Sequence, residues 1–416
     1  MDNLGTYGLI IIFSVTIIVS YFFNVYAKKS GIPSVLMLIA LGIILHYGLL
    51  LFDGFSLDLS KPLEVLGVVG LILILLEAAL GLRLEKDKIG LIIKSFLMAL
   101  LGLGGTAYLA AYCFAYFLDI SLLNGLLFSI PLSILSSAII LPSIEDLDED
   151  KREFMVYEST FSDIVGIIGF SSVLNMLDST ASGGIYGELF TELALTIIFS
   201  ILISYALIYL FQNIKGQVKL FLLIAILLLL YAIGQIFELS SLLIILIFGM
   251  ILNNYKVFFM GGLIKLLNEE KVEEVLNDMK VITAESAFVV RTFFFIIFGW
   301  SVYLGSLLSL EVVSLGLLVL VVIYLVRALM LFVINGSNIN PQLFLAPRGL
   351  ITILLFFAIP EELMPETDFQ GVLLFVILFS CVIMTWAMMV RKKNLAVLAE
   401  DEITLTTPEE TENEKE

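Results

Sequence analysis

Glu158-Ser159-Thr160-Phe161-Ser162-Asp163-Ile164-Val165-Gly166-Ile167 is the stretch on which the reading of this chain turns. It lies in a mostly apolar run over residues 156–177, long enough to cross the ~30 Å hydrocarbon core of a bilayer as a helix. A carboxylate at that depth costs ~2.5–3.5 kcal/mol on insertion scales. This run carries two of them, with hydroxyl side chains between. Groups that expensive point to function.

Working outward, apolar runs of similar length recur from end to end, and 60% of the 416 residues are hydrophobic. The pattern is that of a polytopic all-α membrane protein; a β-barrel would need short alternating segments, which are absent. Thirteen spans are expected, over residues 6–26, 33–52, 64–82, 91–118, 122–142, 156–177, 189–211, 220–237, 239–252, 281–304, 312–334, 342–359 and 371–390. The lysines and arginines outside them alternate by loop. They run from Lys28 and Lys29 in the first loop to Arg391, Lys392 and Lys393 after the last span and fall in odd-numbered loops, while the even loops hold only Lys61. By the positive-inside rule this puts the N-terminus outside and the C-terminus in the cytoplasm.

The net charge of −17 comes largely from residues 145–153, 269–278 and 400–416, which read as solvated loops and tail. No basic cluster suggests nucleic acid. The expected organisation is a transmembrane domain over residues 1–394 and an acidic, disordered cytoplasmic tail over 395–416. Within the loop from 253 to 280, Leu263, Leu266, Leu267 and Val275 suggest a short surface helix. Cys113 and Cys381 lie in apolar runs and suit neither a zinc site nor a disulfide framework, and no cofactor is expected. The single histidine, His46, reads as interfacial. An intramembrane aspartyl protease would need two facing aspartates, and only Asp163 lies in a span.

Charged residues inside spans are few: the acids Glu77, Glu158 and Asp163, with Glu285 near a span start, and the arginines Arg291, Arg327 and Arg348. Buried arginines need anions or backbone carbonyls. Two spans also carry helix-interrupting residues. Span five reads Pro131-Leu132-Ser133-Ile134-Leu135-Ser136-Ser137-Ala138-Ile139-Ile140-Leu141-Pro142, and span twelve contains Ala346-Pro347-Arg348-Gly349. They are seven spans apart, as expected if spans one to six repeat, inverted, as eight to thirteen. Paired interrupted helices in two inverted halves point to a transporter site at the midplane.

These residues resemble the NhaP-like sodium/proton antiporters of the monovalent cation:proton antiporter superfamily. The resemblance rests on Glu158-Ser159-Thr160-Phe161-Ser162-Asp163, on Glu77-Ala78-Ala79-Leu80 in span three, on the Phe-rich span from Phe288 to Gly299 and on Pro347-Arg348-Gly349. It implies a dimerisation part and a core part with crossed, broken helices, a homodimer, and exchange of a cation for a proton in an elevator-like cycle. It implies Asp163 as the ion carrier, Ser159 as a cation ligand or its neighbour, and Glu158 as a structural partner of Arg327. Glu77, Arg291 and Arg348 are expected in further structural ion pairs. Ser162 stands where the family has Asn, and Ser136-Ser137-Ala138 where it has Thr-Asp-Pro.

Helix geometry separates the two acids of the opening stretch. Ser159 and Asp163 share a face, whereas Glu158 lies about 140° away from Asp163 at 3.6 residues per turn. One carboxylate can then be neutralised by an arginine while the other stays free. A sodium or potassium ion could be held by Asp163, Ser159 or Ser162, the span-five hydroxyls of Ser136 and Ser137 or nearby carbonyls, and water. With one carrier carboxylate, exchange is expected to be one for one and electroneutral, in a cell membrane (a bacterial inner membrane) and in the service of pH homeostasis. A potassium/proton exchanger of the same fold and a non-exchanging channel or scaffold are the alternatives.

Overall fold

The computed structural model describes residues 5–30, 32–50, 60–144, 147–178, 185–213, 219–236, 240–259, 267–301, 304–365 and 367–406. All regular structure among them is helical. The first half comprises α1 (Gly5–Ser30), α2 (Ser34–Leu50), α3 (Ser60–Gly81), α4 (Ile89–Leu118), α5 (Leu122–Ser133), α6 (Ser137–Ser143), α7 (Glu149–Asp178) and α8 (Ile185–Phe211). The second comprises α9 (Lys219–Ile236), α10 (Ser241–Asn253), α11 (Tyr255–Phe258), α12 (Glu269–Ser301), α13 (Leu310–Asn335), α14 (Leu350–Phe357) and α15 (Phe369–Thr406). Among the described residues, 7 helical segments are long and apolar enough to cross a membrane, and the α5–α6 pair counts as one of them. Shorter apolar helices lie within α1, α2, α3, α9 and α10.

Local chemistry sets several ends. The Ser121 hydroxyl accepts from the Asn124 N–H at 3.1 Å and the Ser309 hydroxyl from the Val312 N–H at 3.2 Å, capping α5 and α13. α4 stops at Asp119, whose φ of 54° is left-handed. Glu149 and Asp150 occupy the first turn of α7, where they complement the helix dipole.

Two expectations change. No glycine or proline occurs between Glu269 and Phe298, so the charged stretch of the long loop continues unbroken into span ten as α12. Val275 belongs to that helix rather than to a separate surface helix; Leu263 and Leu266 lie outside the described residues. Likewise α15 runs through the expected boundary at 394/395 to Thr406, and tail residues 407–416 lie outside the described residues.

The helices fall into two packing groups. In one, α4 packs on α5, α7 and α13, α7 on α5 and α6, α13 on α15, and α14 on α5. In the other, α12 packs on α2 and α3, α10 on α3, α8 and α9, and α1 on α2. Without lipid-excluding hydrophobic force between helices, close backbone approach at small residues does the work. A Cβ on Gly42 of α2 would collide with the Ile296 carbonyl of α12, and one on Gly299 with the Ile39 carbonyl.

Candidate functional site

Both interrupted segments open inside the first group. Pro131 has no N–H to give the helix and α5 ends two residues later at Ser133; Ile134 and Ser136 are extended, and α6 starts at Ser137. In the second segment Pro347 holds the chain out of helix until α14 begins at Leu350. Backbone groups freed at membrane depth must find partners, and here the two breaks supply them to each other. The Ser136 N–H donates to the Pro347 carbonyl at 2.9 Å. Arg348 Nε donates to the Leu132 carbonyl at 2.7 Å and its Nη1 to Ala346 O at 3.2 Å. The Arg348 N–H is taken by the Ser380 hydroxyl at 3.1 Å and the Leu135 N–H by the Ser162 hydroxyl at 3.0 Å.

α7 lies against the two breaks. Gly166, one turn beyond Asp163, permits the approach, since a Cβ there would clash with the Ile134 side chain. Asp163 is fully buried. The Ser137 hydroxyl donates to its Oδ2 at 2.5 Å, while its Oδ1 is buried without a partner. Among the described residues no lysine, arginine or histidine pairs with it. A buried carboxylate lacking a countercharge is too costly to leave ionised alone, so a proton or a cation must accompany it. Glu158 meets a different neighbour. Arg327 Nη1 and Nη2 grip its two oxygens at 2.6 and 3.1 Å, both side chains are buried, and Arg327 Nε donates to the Gln342 carbonyl at 2.9 Å.

Two cavities flank α7. The smaller, about 20 Å³, touches Glu158, Ser162, Ser133, Arg327 and Arg348 and has room for one water. The larger, about 490 Å³, lies between the packing groups and reaches Ser137 and Thr160 on one wall and Glu77 and Arg291 on the other.

The sequence candidates therefore separate. Ser137 reaches Asp163. Ser162 binds the break backbone, Ser136 sits against Gly349, and the Ser159 hydroxyl donates to Val156 O of its own helix at 3.3 Å. Glu77 and Arg291 meet each other at 2.7 Å. Arg348, expected in an ion pair, is satisfied by the Leu132 and Ala346 carbonyls and meets no carboxylate among the described residues. Sequence reading passed over Gly166, whose position three residues after Asp163 was a usable signal, and Ser380, which carries none.

A model of the sodium/hydrogen exchanger transmembrane family matches residues 12–390. No curated protein sequence matches the chain significantly. The fold is similar to two structures of the sodium proton antiporter MjNhaP1 from Methanocaldococcus jannaschii. The one solved at pH 8 aligns at TM-score 0.69 and 20% identity over 94% of this chain and 98% of that one. An electron-microscopy structure aligns at TM-score 0.67 and 20% identity over 97% and 100%. With the family match spanning nearly all of the chain, and a buried aspartate beside two adjoining helix breaks with no basic partner among the described residues, this is a multi-pass membrane protein that belongs to the sodium/hydrogen exchanger family of transporters.

Proposed function

We propose that the protein exchanges a monovalent cation, sodium, for a proton, one for one, by alternating access with both ions competing for Asp163. The observation that carries this is the state of that carboxylate: fully buried, held on one oxygen by Ser137, free on the other, and without a basic partner among the described residues. A cation binds only the ionised form and a proton abolishes it, so each ion displaces the other. One carboxylate carries one charge of either kind, which makes the cycle electrically silent. Ser137 is the hydroxyl already on Asp163; Ser159, Ser162 and Ser136, with carbonyls of the break, complete a cation shell after small side-chain rotations.

In this reading thirteen spans cross a cell membrane, a bacterial inner membrane, with the N-terminus outside, the C-terminus in the cytoplasm and two inverted halves meeting at the breaks. The group built on α4–α7 and α13–α15 moves as the transport core against the group of α1–α3, α8–α10 and α12, which also dimerises. The larger cavity reaches Gly81 and Pro142, at helix ends leading into odd-numbered loops, so it faces the cytoplasm. Exchange there serves pH homeostasis.

The test is Asp163→Asn in proteoliposomes, following dissipation of a pH gradient by sodium, lithium, potassium and choline. The variant should fold, elute as the wild type does and show no cation-driven proton movement. Retained exchange refutes the assignment. A wild-type response to potassium but not sodium reassigns the cation, and silence to every cation leaves a scaffold.

A further inference from the structure

The chain passes from one packing group to the other between α3 and α4, and its backbone there is held from both sides. On the α3 side the holder is the end of α10. Asn254, which is buried, accepts the Leu84 N–H on its Oδ1 at 2.7 Å and donates from its Nδ2 to the Leu82 carbonyl at 2.8 Å. Asn253 Nδ2 donates to the same carbonyl at 2.7 Å. On the α4 side the holder is α7. Lys88 Nζ meets Glu153 Oε1 at 2.5 Å and Glu85 Oε2 at 3.2 Å, so the residues from Glu85 onward belong to the group that carries Asp163. A further bond crosses this division. The Tyr157 hydroxyl of α7 donates at 2.7 Å to the carbonyl of Arg83, which lies between the two residues that α10 grips. The Tyr157 ring packs there with Leu82, Ala99 and Phe161 in a small apolar cluster.

We propose that the turn at Leu84–Glu85 is a hinge between the two groups and that the Tyr157–Arg83 bond is a latch favouring the state in which the larger cavity is open. The proposal rests on the alternating-access reading above, in which that cavity faces the cytoplasm. Tyr157 directly precedes Glu158 on α7 and moves with it, whereas Arg83 is fixed to α10 through its neighbours. A displacement of α7 by about 1 Å along the seam stretches this bond past the ~3.5 Å at which a hydrogen bond is lost. The bond therefore exists in one state and not in the other. Lys88–Glu153 has both ends on the same side of the hinge and survives the move. Only an interaction that differs between two states can bias their equilibrium, so Tyr157 biases it and Lys88 does not. Losing one hydrogen bond shifts the ratio of states roughly two- to tenfold.

The experiment measures KM for sodium from each side of the membrane, in inside-out and right-side-out vesicles. Apparent affinity on a given side scales with the fraction of protein open to it, so the ratio of cytoplasmic to external KM reports the ratio of states. Tyr157→Phe keeps the ring in its apolar cluster and removes the hydroxyl alone; it should raise that KM ratio roughly two- to tenfold. Asn254→Ala releases the Leu84 N–H and loosens Leu82, letting Arg83 follow α7, and should raise the ratio as well. Lys88→Gln removes a shorter, charged bond on one side of the hinge and should leave the ratio at its wild-type value. A ratio unmoved or lowered by Tyr157→Phe, lowered by Asn254→Ala, or raised as far by Lys88→Gln as by Tyr157→Phe overturns the latch while leaving exchange at Asp163 standing. A wild type that exchanges nothing overturns both.

Discussion

Replacing Glu158 by glutamine isolates the energetic role of the buried pair on α7. Glu158 is 1% exposed and the Arg327 side chain 6% exposed, and the guanidinium uses both Nη atoms on this carboxylate. Glutamine keeps the shape and one acceptor oxygen but removes the charge. Arg327 would retain the Gln342 carbonyl and lose its only carboxylate among the described residues. Stranding one member of a buried pair costs ~3–5 kcal/mol; the surviving acceptor places Glu158→Gln near ~3 kcal/mol. Thermal unfolding of the purified protein in detergent should show a clear drop in midpoint and in folded yield. Arg327→Gln should behave the same way. The double variant should recover much of the loss, since two neutral amides can bond each other and no charge is left buried. A midpoint for Glu158→Gln equal to wild type, or a double variant whose loss is the sum of the two singles, would refute the pairing argument.

Ser137→Ala removes the hydroxyl that holds Asp163 Oδ2. A hydrogen bond to a charged group contributes ~1.5–3 kcal/mol, so the apparent sodium affinity should fall by at least about tenfold with the fold intact, as read by KM in vesicles. Gly166→Val places a side chain into Ile134, which overpacking makes costly by ~1–3 kcal/mol; detergent-solubilised protein should melt lower, and Gly166→Ala less so. Arg348→Met abandons the Leu132 and Ala346 carbonyls at the two breaks and should depress folded yield more strongly than either, measured by fluorescence-detected gel filtration.

Much of this architecture was legible because its signals are local. Pro131, Pro347 and Gly349 interrupt their helices within a few residues of themselves, and the spacing of Glu158 and Asp163 assigns them to different faces without any tertiary knowledge. Apart from Glu158 and Arg327, which the family resemblance paired, what escaped reading was partner choice across the fold. Whether Arg348 meets a carboxylate or the carbonyl of Leu132 depends on segments 216 residues apart in sequence, and the meeting of Arg291 with Glu77 spans 214. Hydroxyl direction was equally hidden: Ser159 shares a face with Asp163, yet its hydroxyl turns back to Val156 O. The charged stretches before span ten and after span thirteen read as loop and tail because charge signals solvent, but a solvated helix carries charge as readily as a loop does. With no breaker in the way, both helices ran on.

The mutual bonding of the two breaks constrains how the molecule can work. Ser136 is tied to Pro347 and Leu132 to Arg348, so neither interrupted segment can uncoil or slip without stripping the other of its backbone partners. Local melting at the site is thereby closed off as a route for releasing an ion. In the exchange cycle proposed above, displacement would be taken up where the two packing groups touch, as α7 does against α10 and α8 and α14 against α3. Turnover then depends on the friction of that seam and of the surrounding lipid. Amides of Ser136 and Arg348 should accordingly resist deuterium uptake throughout cycling, while the seam helices exchange at a rate that follows transport.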